Sequence, residues 1–239
     1  MSDSALGVVG DESVADRLRD AGVSVDVGSP ADPPTTERVV AVGQTAVAGV
    51  GASDHDPLLL PVDAGRGVRS VTRDAVLAAV RGLDDAHVDR HPVVAVTTAG
   101  DTVGRAVWDV TAVTADAARI SEYAVETPSD SVGQFRADGI TVATPAGSPE
   151  YARRVGGPVL APVAGVGVAA PIAPFATNPD HWVLPLDDLT VSVERDEATV
   201  ALYVDGVHEG TVACGQTVTL SRSGPMRVAV VDESRSRFA

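Results

Sequence analysis

Apolar and polar positions alternate in two different rhythms along these 239 residues, and the rhythm changes near His91. Up to that point, short apolar β-rich runs alternate with segments of helical spacing, the pattern of a doubly wound α/β sheet. Ala5 to Val9, Val23 to Val27, Arg38 to Val42 and Pro57 to Val62 read as strands. Asp11 or Ser13 is placed to cap a helix running through Asp20, with Val14, Leu18 and Ala21 on one face and Gly22 as its stop. Thr72 caps the clearest helix of the chain, RDAVLAAVRGL, whose apolar stripe is Ala75, Val76, Ala79, Val80 and Leu83.

Beyond His91, β-branched alternation dominates, turn signals recur and no long amphipathic helix is evident. VVAVTT, AVWDVTAVT, ITVAT, VGVAAPIA, LTVSVE, ATVALYVDG, TVTLS and MRVAVV are the strand candidates. The expectation is a doubly wound, Rossmann-like α/β domain over residues 1–88 and a β-rich, sandwich-like domain over 89–239, its last residues returning to the N-terminal domain. Asp84-Asp85 lies just before that boundary. The segment from Val155 to Pro179 carries no charge, but Pro158, Pro162, Pro171 and Pro174 would break a helix about once per turn. Lipid cannot satisfy the freed backbone groups, so short strands and turns are expected there instead of a membrane span.

Charge narrows the partners. The net charge is -15, from 33 acidic and 18 basic side chains, and every basic residue is Arg. A dense carboxylate surface with no Lys suits a cytoplasm of molar salt, where the Debye length falls to about 3 Å. Together with an Arg-encoding, high-GC genome this points to an extreme halophile. No basic patch is segregated, so nucleic acid and anionic membranes are disfavoured as partners. Cys214 is the single cysteine, which excludes an intramolecular disulfide and a Cys-based zinc cluster. The opening MSDSALGVVGDES has neither a basic n-region nor an apolar h-region, and a cytoplasmic location is expected. Without Lys, a Walker A loop and a protein-kinase ATP lysine are both excluded.

Three local clusters carry little chemistry. His87, Asp89 and His91 alternate and would share one face of a strand, as metal ligands do. Polar faces are common where strands begin, however, and His91 ahead of Pro92 is expected in a turn, so no metal site is assigned. Asp54-His55-Asp56 reads as a solvated loop. GVVGDES has too few glycines for a dinucleotide fingerprint.

The stretch DGITVATPAGSPEYARRVGGP, Asp138 to Pro158, resembles the DG-strand-TPTGSTAY-GGP signature of the NAD kinase family. Its neighbours agree in order. GRAVWDVTAVT lies where the family's Asn-Glu strand lies, AAPIAPFATNPDHWVLP resembles its PICPH-x-RPIVVP segment, and LYVDG resembles its Asp-Gly hairpin. HVDRHPVVAV, with Arg90, and PVDAGRGVRSV also fall in family order, so the resemblance spans roughly Val39 to Val231. It implies transfer of a phosphoryl group from ATP or polyphosphate, with Mg²⁺, to the ribose 2′-hydroxyl of NAD to give NADP. The cleft would lie between the two domains of a homo-oligomeric enzyme. Carried over position by position, the NAD-binding residues would be Gly43, Gln44, Asp109, Asp138, Thr144, Gly147, Ser148 and Tyr151.

This chain departs from the family at several of those places. The family's proton acceptor is the Asp of a GGDGT loop, but RVVAVGQTAVAGVGAS, Arg38 to Ser53, contains no carboxylate. Gln44, near the missing Asp, can hydrogen-bond a ribose hydroxyl but not deprotonate it near neutral pH. Trp108 and Asp109 replace the Asn-Glu pair: Asp109 keeps a carboxylate shortened by one methylene, and Trp108 either stacks on a base, fills the pocket or anchors the core. Pro149-Glu150 replaces the Thr-Ala before Tyr151, Arg154 a downstream Ser, and Phe175 the family's His. Three readings stay open: an active kinase with a rearranged base such as Asp109 or Asp138 or with substrate-assisted chemistry, a silent NAD(P)- or nucleotide-binding paralogue, and a structural paralogue with a closed cleft.

Overall fold

Short apolar runs fold here into a parallel sheet, as the spacing predicts. The computed structural model describes residues 5–116, 119–162, 164–195 and 199–237. The start of the MSDSALGVVGDES segment, Val163 and the first residue of the expected strand ATVALYVDG lie outside the described residues. The chain divides into two units, residues 1–91 with 225–239 and residues 92–224.

In the first unit, β1 (Leu6–Val9), β2 (Val25–Gly28), β3 (Arg38–Val42) and β4 (Leu58–Val62) run parallel in the order β2-β1-β3-β4. The Asp11 side chain accepts the Ser13 N–H at 2.9 Å and so caps α1 (Glu12–Asp20), which buries Val14, Ala15 and Leu18. Helix α2 (Gln44–Ala52) follows β3 directly and was not expected, because QTAVAGVGA is apolar almost all round and has no capping side chain. The expected RDAVLAAVRGL helix is shorter than its pattern. Thr72 caps a 3₁₀ turn over Arg73–Ala75, α3 covers only Val76–Arg81, and a second 3₁₀ turn spans Leu83–Asp85. Val8, Leu18, Val40, Leu60, Val76 and Leu83 meet in the core of this unit.

The second unit is almost entirely strands. β7 (Asp109–Thr114), β10 (Gly139–Ala143), β11 (Val166–Ile172), β12 (Trp182–Pro185), β14 (Val200–Val204) and β15 (Val207–Val212) form one antiparallel sheet, ordered β12-β11-β10-β7-β14-β15. Facing it are β8 (Ser121–Glu126), β9 (Ser131–Ala137), β13 (Leu189–Arg195) and the first half of β16 (Thr217–Val230), in the order β16-β13-β8-β9. β5 (His87–Thr98) pairs with β16 and with β6 (Asp101–Ala106). Val110, Tyr123, Ile140, Leu189, Leu202 and Leu220 from both layers share one core, which makes this unit a sandwich. The charge-free segment after Val155 contributes β11 and turns. Among the described residues no helix is long and apolar enough to cross a membrane.

Three strand expectations are corrected. TVTLS and MRVAVV belong to one strand, β16, whose second half pairs parallel with β4 through Arg227 opposite Leu58. Pro92 lies inside β5 and not in a turn, since the extended backbone that proline imposes on His91 serves a strand equally well. AVWDVTAVT is not continuous: it breaks at Val107-Trp108 between β6 and β7. The cause of that break lies in the candidate site.

Candidate functional site

Val107 and Trp108 lie between β6 and β7, and pairing of β7 with β14 stops at Val110, because the backbone N–H groups from Val107 to Asp109 are taken elsewhere. Asp205 Oδ1 accepts the N–H groups of Trp108 at 2.7 Å and Asp109 at 3.0 Å, and Asp205 Oδ2 accepts that of Val107 at 2.8 Å. On the carbonyl side, the Thr144 N–H donates to Trp108 O at 2.9 Å and the Thr144 hydroxyl to Val107 O at 2.5 Å. Trp108 itself is buried, 6% exposed.

The turn after β10 is built against this segment. Thr144 Oγ1 accepts the Gly147 N–H at 3.2 Å, and the Ser148 hydroxyl donates to Pro145 O and accepts the Leu160 N–H, both at 2.9 Å. Thr144 and Ser148 are buried, and their hydroxyls are committed within the chain, so they shape the turn. Position 147 must be glycine: a Cβ there would stand 1.9 Å from Trp108 O and 2.4 Å from its carbonyl carbon. The turn ends in the four-residue helix α4 (Tyr151–Arg154), whose Tyr151 is 39% exposed. His181 packs on Gly156 and bonds Val155 O at 2.8 Å, fastening the chain beyond α4.

Asp109 therefore opens β7 beside this turn, with Thr111 donating to its Oδ1 at 3.3 Å and in turn lying 3.0 Å from the Thr141 hydroxyl. Burial pushes the Asp109 carboxyl above its ordinary pKa, the Thr111 bond opposes the shift, and the charge of Glu150 adds to it. Asp138 is elsewhere. In the β7–β10 ladder Asp109 faces Ala143 while Val113 faces Gly139, so Asp138 lies past the far end, about 17 Å along at ~3.4 Å per residue. Its side chain is exposed, and the structure does not bring it to Asp109 within one chain.

In the first unit, the strand order places a topological switch point between β1 and β3, where open α/β sheets bind ligands at the carboxyl ends of their strands. Gly43, with φ 85°, caps α2 there and donates its N–H to Val62 O at 2.8 Å, and Gln44 is exposed on the first turn. The same edge carries an ion-pair cluster the sequence did not reveal. Arg73 reaches Asp11 at 3.1 Å and Asp63 at 2.6 Å. Ser13 and Arg73 hold the Asp11 carboxyl below the usual range, so it stays ionised and is a poor proton acceptor. These residues are far apart in sequence, and no local pattern flags them. His87 and Asp89 lie 3.4 Å apart while His91 is buried, and among the described residues no three potential metal ligands converge.

A model of the family described as "ATP-NAD kinase C-terminal domain" matches residues 109–231, more than half of the chain. The chain belongs to the ATP-NAD kinase family. It is 29% identical over 125 residues to the NAD kinase of Methanosarcina barkeri, covering 52% of this chain and 46% of that one. With the NAD kinase of Chlorobaculum tepidum it shares 33% identity over 122 residues, covering 50% of this chain and 43% of the relative. The chain thus spans about half the length of the curated relatives it matches. Two solved structures share the fold: yeast NADH kinase complexed with NADH, at TM-score 0.81 and 13% identity over 96% of this chain and 84% of that one, and an NAD kinase from Archaeoglobus fulgidus in complex with ATP, at TM-score 0.76 and 20% identity over 98% and 95%. Of the positions in this chain that match the ATP-NAD kinase signature, Thr144, Gly147 and Ser148 build the turn, while Asp138 and Tyr151 are exposed. Its replacements Gln44 and Phe175 are exposed, Phe175 at 83%.

Proposed function

We propose that this ATP-NAD kinase family member binds NAD and phosphorylates its ribose 2′-hydroxyl, with Asp109 as the proton acceptor. The observation that supports this reading is the Asp109 carboxyl itself, partly buried at the family's ribose-holding position and raised in pKa toward the range where a general base works. The nucleophile's O–H bond breaks toward Asp109, the 2′-oxygen bonds to the terminal phosphorus of ATP or polyphosphate, and the bridging P–O bond breaks to release the shortened donor. Gln44 offers an amide to a ribose hydroxyl and Gly43 opens a helix N-terminus; Gly147, Ser148 and Thr144 hold the turn that carries Tyr151 to the ligand. Among the described residues no three potential ligands converge as a metal cage, and Mg²⁺ would come with the phosphates of the nucleotide and neutralise their charge. No residue is assigned to the ion. Asp138, remote from Asp109 in one chain, belongs in this reading to a homo-oligomer in a salt-rich cytoplasm.

A second reading, a silent NAD(P)-binding paralogue, is favoured by one feature: the strand-to-helix segment from Arg38 to Ser53, β3 and α2, has no carboxylate. Purified protein in molar KCl with Mg²⁺, NAD and either ATP or polyphosphate decides between them. NADP formation, reduced by about 10² to 10⁴-fold in Asp109→Asn, is expected. No NADP above a no-enzyme control, with saturable NAD binding by calorimetry, would establish the silent reading in its place.

A further inference from the structure

The Asp205-Gly206 turn joins β14 to β15, and its two positive φ angles, 50° and 81°, are those of a type I′ hairpin. Asp in that turn needs only to tolerate a left-handed backbone, and its carboxylate ordinarily points to solvent. Here the side chain turns back onto its own sheet. It accepts three consecutive backbone N–H groups, from Val107, Trp108 and Asp109, and the Asp205 N–H donates to Asp109 O at 2.9 Å. The last ladder pair of β7 and β14 is Val110 with Val204, so the carboxylate continues the ladder where backbone pairing stops. Three N–H donors converging on one carboxylate form a strong, charge-assisted clamp. Its cost is visible, since burial and the neighbouring Asp109 push the Asp205 carboxyl up to about 6.

We infer that Asp205 is a positioning residue: it fixes the Trp108-Asp109 backbone against Thr144 so that the Asp109 carboxylate is presented to the ribose at one setting. Asp109 N–H and C=O are both held by Asp205, and the two preceding carbonyls by Thr144, which leaves Asp109 only its side-chain torsions to adjust. The inference rests on the reading of Asp109 given above, and it predicts that Asp205 acts on the ligand only through Asp109.

Asp205→Asn keeps the left-handed turn but replaces one acceptor oxygen by an NH₂ that opposes a backbone N–H. The test is a double-mutant cycle of Asp205→Asn and Asp109→Asn, with near-ultraviolet circular dichroism confirming the fold of each variant. In the parent background Asp205→Asn is expected to lower kcat/KM for NAD by about 10 to 100-fold, and in the Asp109→Asn background by less than about 3-fold. Equal losses in both backgrounds, or none in the parent, would overturn the inference. If the parent makes no NADP, the proposed function fails by itself, and the same cycle is read as NAD affinity by calorimetry with the same criteria. Should NAD not bind either, the ¹⁵N–¹H resonances of Trp108 and Asp109 remain: they are expected to share a titration step near the Asp205 midpoint and to lose that step in Asp205→Asn, and resonances indifferent to Asp205 would refute the clamp.

Discussion

Acid should unfasten the first unit through one side chain, His91. The imidazole is 1% exposed, and neither ring nitrogen has a hydrogen-bond partner. Burial, reinforced by the nearby Arg237 charge and opposed by Asp89, lowers its pKa from 6.5 to about 4. The unfolded chain therefore holds the proton more tightly than the folded one, so stability is full above the unfolded value and is lost as pH falls through 6.5 toward 4. With both values in the two-state linkage relation, about 2 kcal/mol is gone near pH 5 and about 3 kcal/mol near pH 4. Molar salt screens the Arg237 and Asp89 charges but not desolvation, so the slope persists in KCl. Both tryptophans and all three tyrosines lie in residues 92–224, while α1, α2 and α3 lie in the first unit. Ellipticity at 222 nm thus follows the first unit, and Trp fluorescence the second. Urea titrations at several pH values should show the helical signal losing stability on acidification. Asp205, whose folded pKa is raised from 3.8 to about 6, works the other way on the second unit, where stability is gained as pH falls through that window. His91→Leu removes the titrating group and two unpartnered nitrogens, so its helical signal should lose the slope without losing stability near pH 7. An unchanged slope in that variant would refute the argument.

Two further substitutions test the turn that carries Tyr151. Gly147→Ala forces a methyl into the Trp108 carbonyl and should cost about 3 kcal/mol or more in urea titrations followed by Trp fluorescence; a loss under about 0.5 kcal/mol would mean that the turn and Trp108 can separate freely. Thr144→Val removes a donor to Val107 O and an acceptor for the Gly147 N–H in a buried setting, for about 2 to 4 kcal/mol. Thr144→Ser, which keeps the hydroxyl, should recover most of that in the same assay, and equal losses for Val and Ser would remove the hydrogen bonds as the cause.

Most of the fold was legible because it rests on local periodicity. Arg38 to Val42 is a strand with those bounds, Asp11 and Thr72 cap where their side chains allow, and ITVAT forms β10 with only its Thr144 turning out of the strand. What was illegible depends on distant partners. AVWDVTAVT alternates like one strand and is cut at Trp108 by a carboxylate 97 positions away. TVTLS and MRVAVV read as two strands but run on as one, with Gly224-Pro225 inside β16. Helix α2 escaped because its small apolar residues show no polar face: Gly49 packs so closely that a Cβ would lie 2.1 Å from Pro30 O. At the site, the order of motifs located Asp109 and the turn from Thr144 to Ser148 together. Strand register, invisible in one sequence, put Asp138 at the other end of the ladder. LYVDG forms the hairpin that its pattern predicts, but nothing local shows where the Asp205 carboxylate goes.

The division between retained and replaced residues carries a mechanistic argument. Thr144, Gly147, Ser148 and Asp205 all act on backbone, and losing any of them strands buried donors or acceptors or drives atoms into a carbonyl. A chain that keeps the fold must keep such groups whatever it catalyses, so they speak for architecture alone. The Phe175 side chain, 83% exposed, has no such duty. Asp109 stands between the two groups: its backbone is locked by Asp205, yet its carboxylate carries a desolvation cost that the sheet does not require, since an apolar side chain there would leave every backbone bond intact. A side chain that costs stability without supporting the fold is where chemistry is expected. That asymmetry, more than the survival of the turn, is why the proton transfer is placed on Asp109.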